Sequence, residues 1–195
     1  IYERDLKKML AFSSIAQIGY ITLGIGIATG AGIAAGFIHI GNHALIKGGL
    51  FMAVGGIFLA TGSRVSVMSM TGIGRKMPLT ATAFLICGLS LIGLPLTAGF
   101  ISKLYLVRAL LDNDNLVIVG LVLASSALSV MYLWKIVEVM WVRPAPVDAL
   151  EINERPALYI PLWIIAIANI WLGLDASWLV GGAEAAAASL LGAGG

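Results

Sequence analysis

Charge is what this sequence has least of. Only 11% of its 195 residues are Asp, Glu, Lys or Arg, and 59% are hydrophobic; a soluble globular domain has about 25% charged and roughly 45–50% apolar residues. The net charge of +2 is too small to suggest a nucleic-acid partner. There is one cysteine, Cys87, inside an apolar run, so no internal disulfide can form and the thiol reads as core packing. Metal-ligand clusters and nucleotide motifs are also missing. The stretch GSRVSVMSMTGIGRK lacks the Gly-Lys-Ser/Thr ending of a P-loop. The expectation is therefore no metal, no organic cofactor and no enzyme active site in this chain, although a place in a redox-driven translocase stays open.

What the sequence has instead is long apolar runs, with a mean hydropathy of +0.98. A helix needs about 20 apolar residues to cross a hydrocarbon core roughly 30 Å thick. Runs of that kind predict an all-α integral membrane protein with about five spans, over 8–29, 33–60, 78–111, 115–142 and 157–180. Residues 1–180 then form one transmembrane domain, and 181–195 an Ala/Gly-rich tail read as an interfacial helix followed by disorder. The chain opens on Ile1 rather than Met, and IYERDLKKML resembles a loop entering a helix, not a signal peptide. A fragment, or one half of a split protein, is expected.

The third span is too long to be one straight helix. Residues 78–111 would extend about 50 Å, and GLPLTAG at 93–99 interrupts them. Charge chooses between two spans and one broken span. With one broken span, Arg4, Lys7, Lys8, Arg64, Arg75, Lys76 and Arg143 share a side, while Asp112, Asp114 and Glu184 share the other. Basic loops belong in the cytoplasm, so the 64–76 loop is placed there and 112–115 outside. At the break, Pro95 removes a backbone donor, and Gly93 and Gly99 permit open dihedrals. The freed backbone groups cost several kcal/mol in lipid unless they meet protein or water, and such breaks line ion and substrate sites in transporters. Lys103 follows within two turns and is expected beside a water-filled cavity.

The stretch FIHIGNHALIKGGLF places His39, His43 and Lys47 at four-residue steps, on one broad face of a helix. Ionisable groups at such depth cost about 2.5–3.5 kcal/mol each on insertion scales and are paired or functional. Histidine and a desolvated lysine can both lose and regain a proton near neutrality; arginine cannot. His39, His43, Lys47 and Lys103, bridged by water, thus read as a lateral proton relay. Ser13, Ser14 and Gln17 on the first span, with Ser125, Ser126 and Ser129 on the fourth, supply polar groups for such water or simply bond neighbouring helices. Lys135, near a helix end and one turn from Glu138, reads as snorkelling or ion-paired, with an accessory role as the other possibility.

Three segments resemble one family. RDLKKMLAFSSIAQIGYI, NHALIKGGLFMAVGGI and GLPLTAGFISKLYLV are similar, in order and spacing, to motifs of the antiporter-like subunits of respiratory complex I and of Mrp-type cation/proton antiporters. The resemblance runs from Tyr2 to about Leu174 and implies helices ten to fourteen of a fourteen-helix fold. It implies that Lys47, His43 and His39 occupy connecting positions on the eleventh helix and that Lys103 is the terminal basic residue at the break of the twelfth. One complex I subunit type has glutamate there, so an acid at 103 would be expected to sustain some flux. Leu104 stands where the distal complex I subunit tends to carry an acid, which leans the resemblance toward the D-like group of Mrp antiporter subunits. The family's input half, with its glutamate and lysine on the fifth and seventh helices, has no counterpart here.

The resemblance implies a member of a proton or cation/proton translocating complex in a bacterial inner membrane or an equivalent energy-coupling membrane, contributing one half-channel. Its partners would be other membrane subunits, the lipid bilayer, a separate N-terminal half-channel, and protons or sodium. A non-conducting scaffold subunit is the main alternative, and a small-molecule transporter built on the broken helix a third.

Overall fold

The computed structural model describes residues 3, 5–62, 66–144 and 154–192. Arg4 and Arg64, counted in the charge asymmetry, lie outside the described residues, as do 145–153 of the link before the last span and 193–195 of the tail.

The regular structure of the described residues is helical, with one isolated bridge between Asp5 and Ser66. Helix α1 spans Leu6–Gly26, capped by the Asp5 carboxylate, which accepts from the Lys8 amide at 3.1 Å. Helix α2, Gly30–Thr61, is capped by the Thr29 hydroxyl and stops at Gly62 in the left-handed region. After a 3-10 turn at Met68–Met70 come α3 (Ile73–Lys76) and α4 (Pro78–Ile92), where the chain bends by 113°. Helices α5 (Ala98–Leu111), α6 (Leu116–Val137, closing in a π turn at Glu138–Val142), α7 (Pro156–Leu174) and α8 (Ser177–Gly192) complete it.

Helix α2 is the axle. Its 32 residues extend about 48 Å, and α1, α4, α5, α7 and α8 all pack on it. Four helices, α1, α2, α6 with its π turn, and α7, are long and apolar enough to cross a membrane alone. Helices α4 and α5, 15 and 14 residues, are each about 22 Å long, short of the hydrocarbon thickness, and follow one another across the break; the bent pair long and apolar enough to make a fifth crossing together is Met68–Lys76 with Pro78–Ile92. The outer surface is apolar: Phe12, Ile15 and Val117 are 61%, 66% and 81% exposed. The polar residues Gln17, His39, Asn42, Lys47, Ser90, Ser102 and Lys103 are buried. That inversion suits lipid as solvent.

The ends sort by charge. Lys7, Lys8, Arg75, Lys76, Arg143 and Arg155 stand at the end where Asp5 meets Ser66, the Gly72 amide bonds the Val139 carbonyl, and Glu154 caps α4. Asp112 and Asp114 stand at the opposite end with Arg108.

The fifth apolar helix ends at Leu174, and α8 starts anew at Ser177. The boundary is an Asx turn. Asp175 Oδ1 accepts from the Ser177 hydroxyl at 2.6 Å and the amide at 3.0 Å, holding the carboxyl below its usual range. Helix α8 then lies along the N-terminal half of α2, with Ala183 and Ala187 against Ile33, Ala34 and Ile38.

Candidate functional site

The site begins where α4 stops. Gly93 is the left-handed cap (φ +90°), its amide bonding the Leu89 and Ser90 carbonyls, and the Leu94 amide also bonds Leu89. Leu96 takes a left-handed conformation too (φ +71°), and Pro95 sits in the link, where its missing donor costs nothing. Gly99 differs from its expected part. It lies inside α5 without an open dihedral, and its value is size: a Cβ there would drive into the Ser90 carbonyl. Its amide, one of the free donors of the first turn, donates to Ser90 Oγ at 3.0 Å. The first turn of α5 therefore lies against the last turn of α4. Gly173 of α7 seats the link from outside, its Cα face against the Leu96 and Thr97 backbone.

Ending α4 here leaves the Leu91 and Ile92 carbonyls without helical partners. Lys103 takes both. Its Nζ donates to Leu91 O at 3.0 Å, Ile92 O at 2.6 Å and Ser126 Oγ at 3.0 Å, and lies 5.4 Å from the centre of the Tyr20 ring. An ammonium at a helix C-terminus is also favoured by the helix dipole. A cavity of about 220 Å³ adjoins it, lined by Gly93, Phe100, Leu104, Val107 and Ser126 among others. That is large enough for several waters.

One residue before, Ser102 reaches α2. Its Oγ lies 2.9 Å from His39 Nδ1, and His39 Nε2 lies 3.1 Å from Gln17 Oε1. With the amide oxygen as acceptor, Nε2 carries hydrogen and Nδ1 is free to accept from Ser102. A doubly protonated ring donates at both nitrogens, and the Ser102 hydroxyl then donates to Gly99 O at 3.2 Å. The partners suit either state. The His43 ring stacks on that of His39 (centroids 6.3 Å, planes 12° apart), and its buried Nδ1 has no partner among the described residues. One turn on, Lys47 Nζ donates to Leu10 O at 2.7 Å and, through a very short contact, to Ser13 Oγ.

The predicted set is thus brought into one line: Lys47, His43, His39, then Ser102 and Lys103 at the break. Ser13, Gln17 and Ser126 touch it directly. Ser14 bonds its own helix at Leu10 O, and Ser129 bonds Ser125 O. Lys135 stands in the last turn of α6, and Glu138 pairs with Arg143 (3.1 Å) in the π turn that follows. Sequence reasoning missed Ser102, Tyr20 and Asn42. Tyr20 stands edge-on to His39 at 5.5 Å, and Asn42 Nδ2 ties α2 to the start of α5 by donating to Ala98 O at 2.6 Å. Asn42 had a signal, a polar side chain three residues beyond His39 in an apolar span. Ser102 had only its place beside Lys103. Among the described residues no group of three His, Cys, Asp or Glu comes together as a metal site.

Known proteins resemble this chain in sequence and in fold. The family described as NADH:quinone oxidoreductase/Mrp antiporter, TM, matches residues 1–129. The NADH-quinone oxidoreductase subunit N of Desulforudis audaxviator (strain MP104C) is 40% identical over 187 residues, covering 89% of this chain and 37% of the relative. The D-type member of the Na(+)/H(+) antiporter of Alkalihalophilus pseudofirmus is 34% identical over 132 residues, 68% of this chain and 27% of the relative. By identity alone the antiporter relative is no nearer than the subunit N relative. In the structure of the Mrp complex from Dietzia sp. DQ12-45-1b, one chain superposes with a TM-score of 0.87 at 25% identity, over 97% of this chain and 43% of that one. The chain spans well under half the length of the relatives it matches. With the broken helix and the apolar exterior, the match establishes that this chain is an integral, multi-pass membrane protein of the NADH:quinone oxidoreductase/Mrp antiporter transmembrane family.

Proposed function

We propose that this chain supplies one half-channel of a proton or cation/proton translocating membrane complex. Lys47, His43 and His39 form the connecting stretch, and Lys103 is the terminal base at the helix break. The observation that carries this is the run of basic groups Lys47, His43, His39 and Lys103, in which Lys47, His39 and Lys103 each meet a hydroxyl that can turn from acceptor to donor. A proton can enter at either end, and the cavity beside Lys103 is large enough to hold water at that end. The complementary half-channel, other membrane subunits and the driving reaction would come from partners, as in the multisubunit complexes of the relatives. Protons are the carried ion in this reading, with sodium as the coupled ion in an antiporter.

The test is His39→Gln in the native complex, assayed as pH-gradient formation in everted membrane vesicles. Glutamine keeps a donor and an acceptor for Gln17 and Ser102 but does not titrate, so flux should fall at least about twofold at unchanged complex content. Native flux would overturn the relay.

One observation favours the scaffold reading: all three Lys103 donors are used, two of them on backbone carbonyls that need them. A static cap predicts that any cation serves at 103. Lys103→Arg separates the two.

A further inference from the structure

The buried hydroxyl of Tyr132, on α6, has no place in the line just described. It is shut off from solvent and finds no hydrogen bond of good geometry among the described residues. The side chains of Ser129 and Ser13 nevertheless stand beside it. An unsatisfied buried hydroxyl costs about 1–3 kcal/mol, and its persistence asks for a reason. Among the described residues the indole nitrogens of Trp141 and Trp163 also lack partners, but those rings are used for packing, Trp141 against Gly74 and both against the apolar core. Tyr132 is flanked by hydroxyls on both sides.

Those two neighbours lead to the two lysines. Ser13 Oγ accepts directly from Lys47 Nζ. Ser129 is one turn of α6 from Ser126, whose Oγ accepts from Lys103 Nζ at 3.0 Å. Residues 126, 129 and 132 recur every three positions and share a face, with a rise of about 4.5 Å between successive members, a gap that one water spans. The geometry points to a second connection between Lys47 and Lys103, made of hydroxyls: Ser13, Tyr132, Ser129 and Ser126. It rests on the proton-translocation reading above and runs parallel to the imidazole line through His43 and His39.

The step balances. An N–H bond breaks at the Lys47 ammonium as Ser13 receives that proton and passes its own to Tyr132. Tyr132 passes its own to Ser129, and the shift ends with a new N–H bond on a neutral Lys103 amine by way of Ser126. Each hydroxyl receives one proton and releases one, so none is left charged.

Tyr132→Phe removes one oxygen and keeps the ring, and it relieves an unpaired polar group, so complex content should be native or higher. With two routes sharing the load, flux per complex in everted vesicles should fall about twofold. Adding Ser13→Ala to Tyr132→Phe should reduce it little further, because both lie on one route, whereas adding His39→Gln should reduce it again. A ring that only fills space predicts no such pattern. If Tyr132→Phe keeps native flux and adds nothing to the loss caused by His39→Gln, while His39→Gln and Lys103→Arg lower flux, the hydroxyl route is refuted and the half-channel stands. If none of the three lowers flux, both fall.

Discussion

Lys103→Arg asks whether the group at the break moves a proton or only holds the break together. Arginine keeps the positive charge and brings five donors to the same three acceptors, the Leu91 and Ile92 carbonyls and Ser126 Oγ. The cap on α4 therefore survives, and assembly should change little. Room is limited, since a Cβ at Gly93 would already stand 2.9 Å from Lys103 Cδ, but the cavity on the Phe100 and Leu104 side can take the larger head. Proton release is another matter. A free guanidinium holds its proton about 2–3 pH units more tightly than an ammonium. The same surroundings act on both, so the difference carries over as roughly 3–5 kcal/mol, or a 10²- to 10³-fold smaller neutral population. Flux should fall by that order at unchanged complex content, measured as pH-gradient formation per complex in everted vesicles. A fully active Lys103→Arg complex would refute the relay and leave the static cap. The structure also changes the expectation for glutamate, which the family's own use of an acid made tolerable. A carboxylate at 103 would face two carbonyl oxygens and the negative end of α4. Lys103→Glu should therefore lose both flux and complex content in this chain.

Lys47→Ala should abolish flux yet leave the complex assembled, because Ser13 Oγ still donates to Leu10 O at 2.8 Å and no acceptor is orphaned; near-native flux in reconstituted vesicles would remove Lys47 from the relay. Gly99→Ala should lower the thermal stability of the purified complex by about 3 kcal/mol or more, the upper range for overpacking, since its Cβ meets the immobile Ser90 carbonyl; unchanged stability would mean that α5 does not pack on α4 as described. For topology, cysteine placed at exposed Ser69 should be shielded from an impermeant reagent in intact cells, and cysteine at exposed Asn113 labelled. Labelling of Ser69→Cys from outside would reverse the orientation.

Much of this was legible in the sequence because a membrane simplifies the reading. Apolar runs set the helices, and the unusual length of 78–111 together with GLPLTAG located a break that the structure puts at Gly93–Thr97. His39, His43 and Lys47 were visible because nothing else on α2 is ionisable. The end of α7 at Leu174 was not legible, since hydropathy continues through Trp178–Val180 and only the local bonds of Asp175 to Ser177 stop the helix. Gly99 was read as a flexible position because sequence cannot distinguish a glycine needed for its dihedral from one needed for its size. Ser102 and Tyr132 were hidden for a related reason. A serine or tyrosine in a span is chemically ordinary until a neighbouring helix, here α2 for the one and α1 for the other, decides what its hydroxyl faces.

The choice of partners explains how one lysine can serve both as cap and as carrier. A carboxylate beside a buried amine stabilises the ammonium alone and would hold the proton there. No carboxylate bonds Lys47, His39 or Lys103 among the described residues; each has a serine instead, Ser13, Ser102 and Ser126. A hydroxyl accepts from the protonated base and, after turning, donates to the neutral one. At Lys103 the neutral amine still has two hydrogens for the Leu91 and Ile92 carbonyls and a lone pair for the Ser126 hydroxyl, so α4 stays capped through a full proton cycle. The other end of the half-helix needs no such freedom, and there a fixed charge is used: Glu154 accepts from the Leu79 and Thr80 amides at 3.2 and 2.7 Å, complementing the positive end of the dipole. Static capping at one end and reversible capping at the other is the arrangement expected of a helix broken in order to conduct.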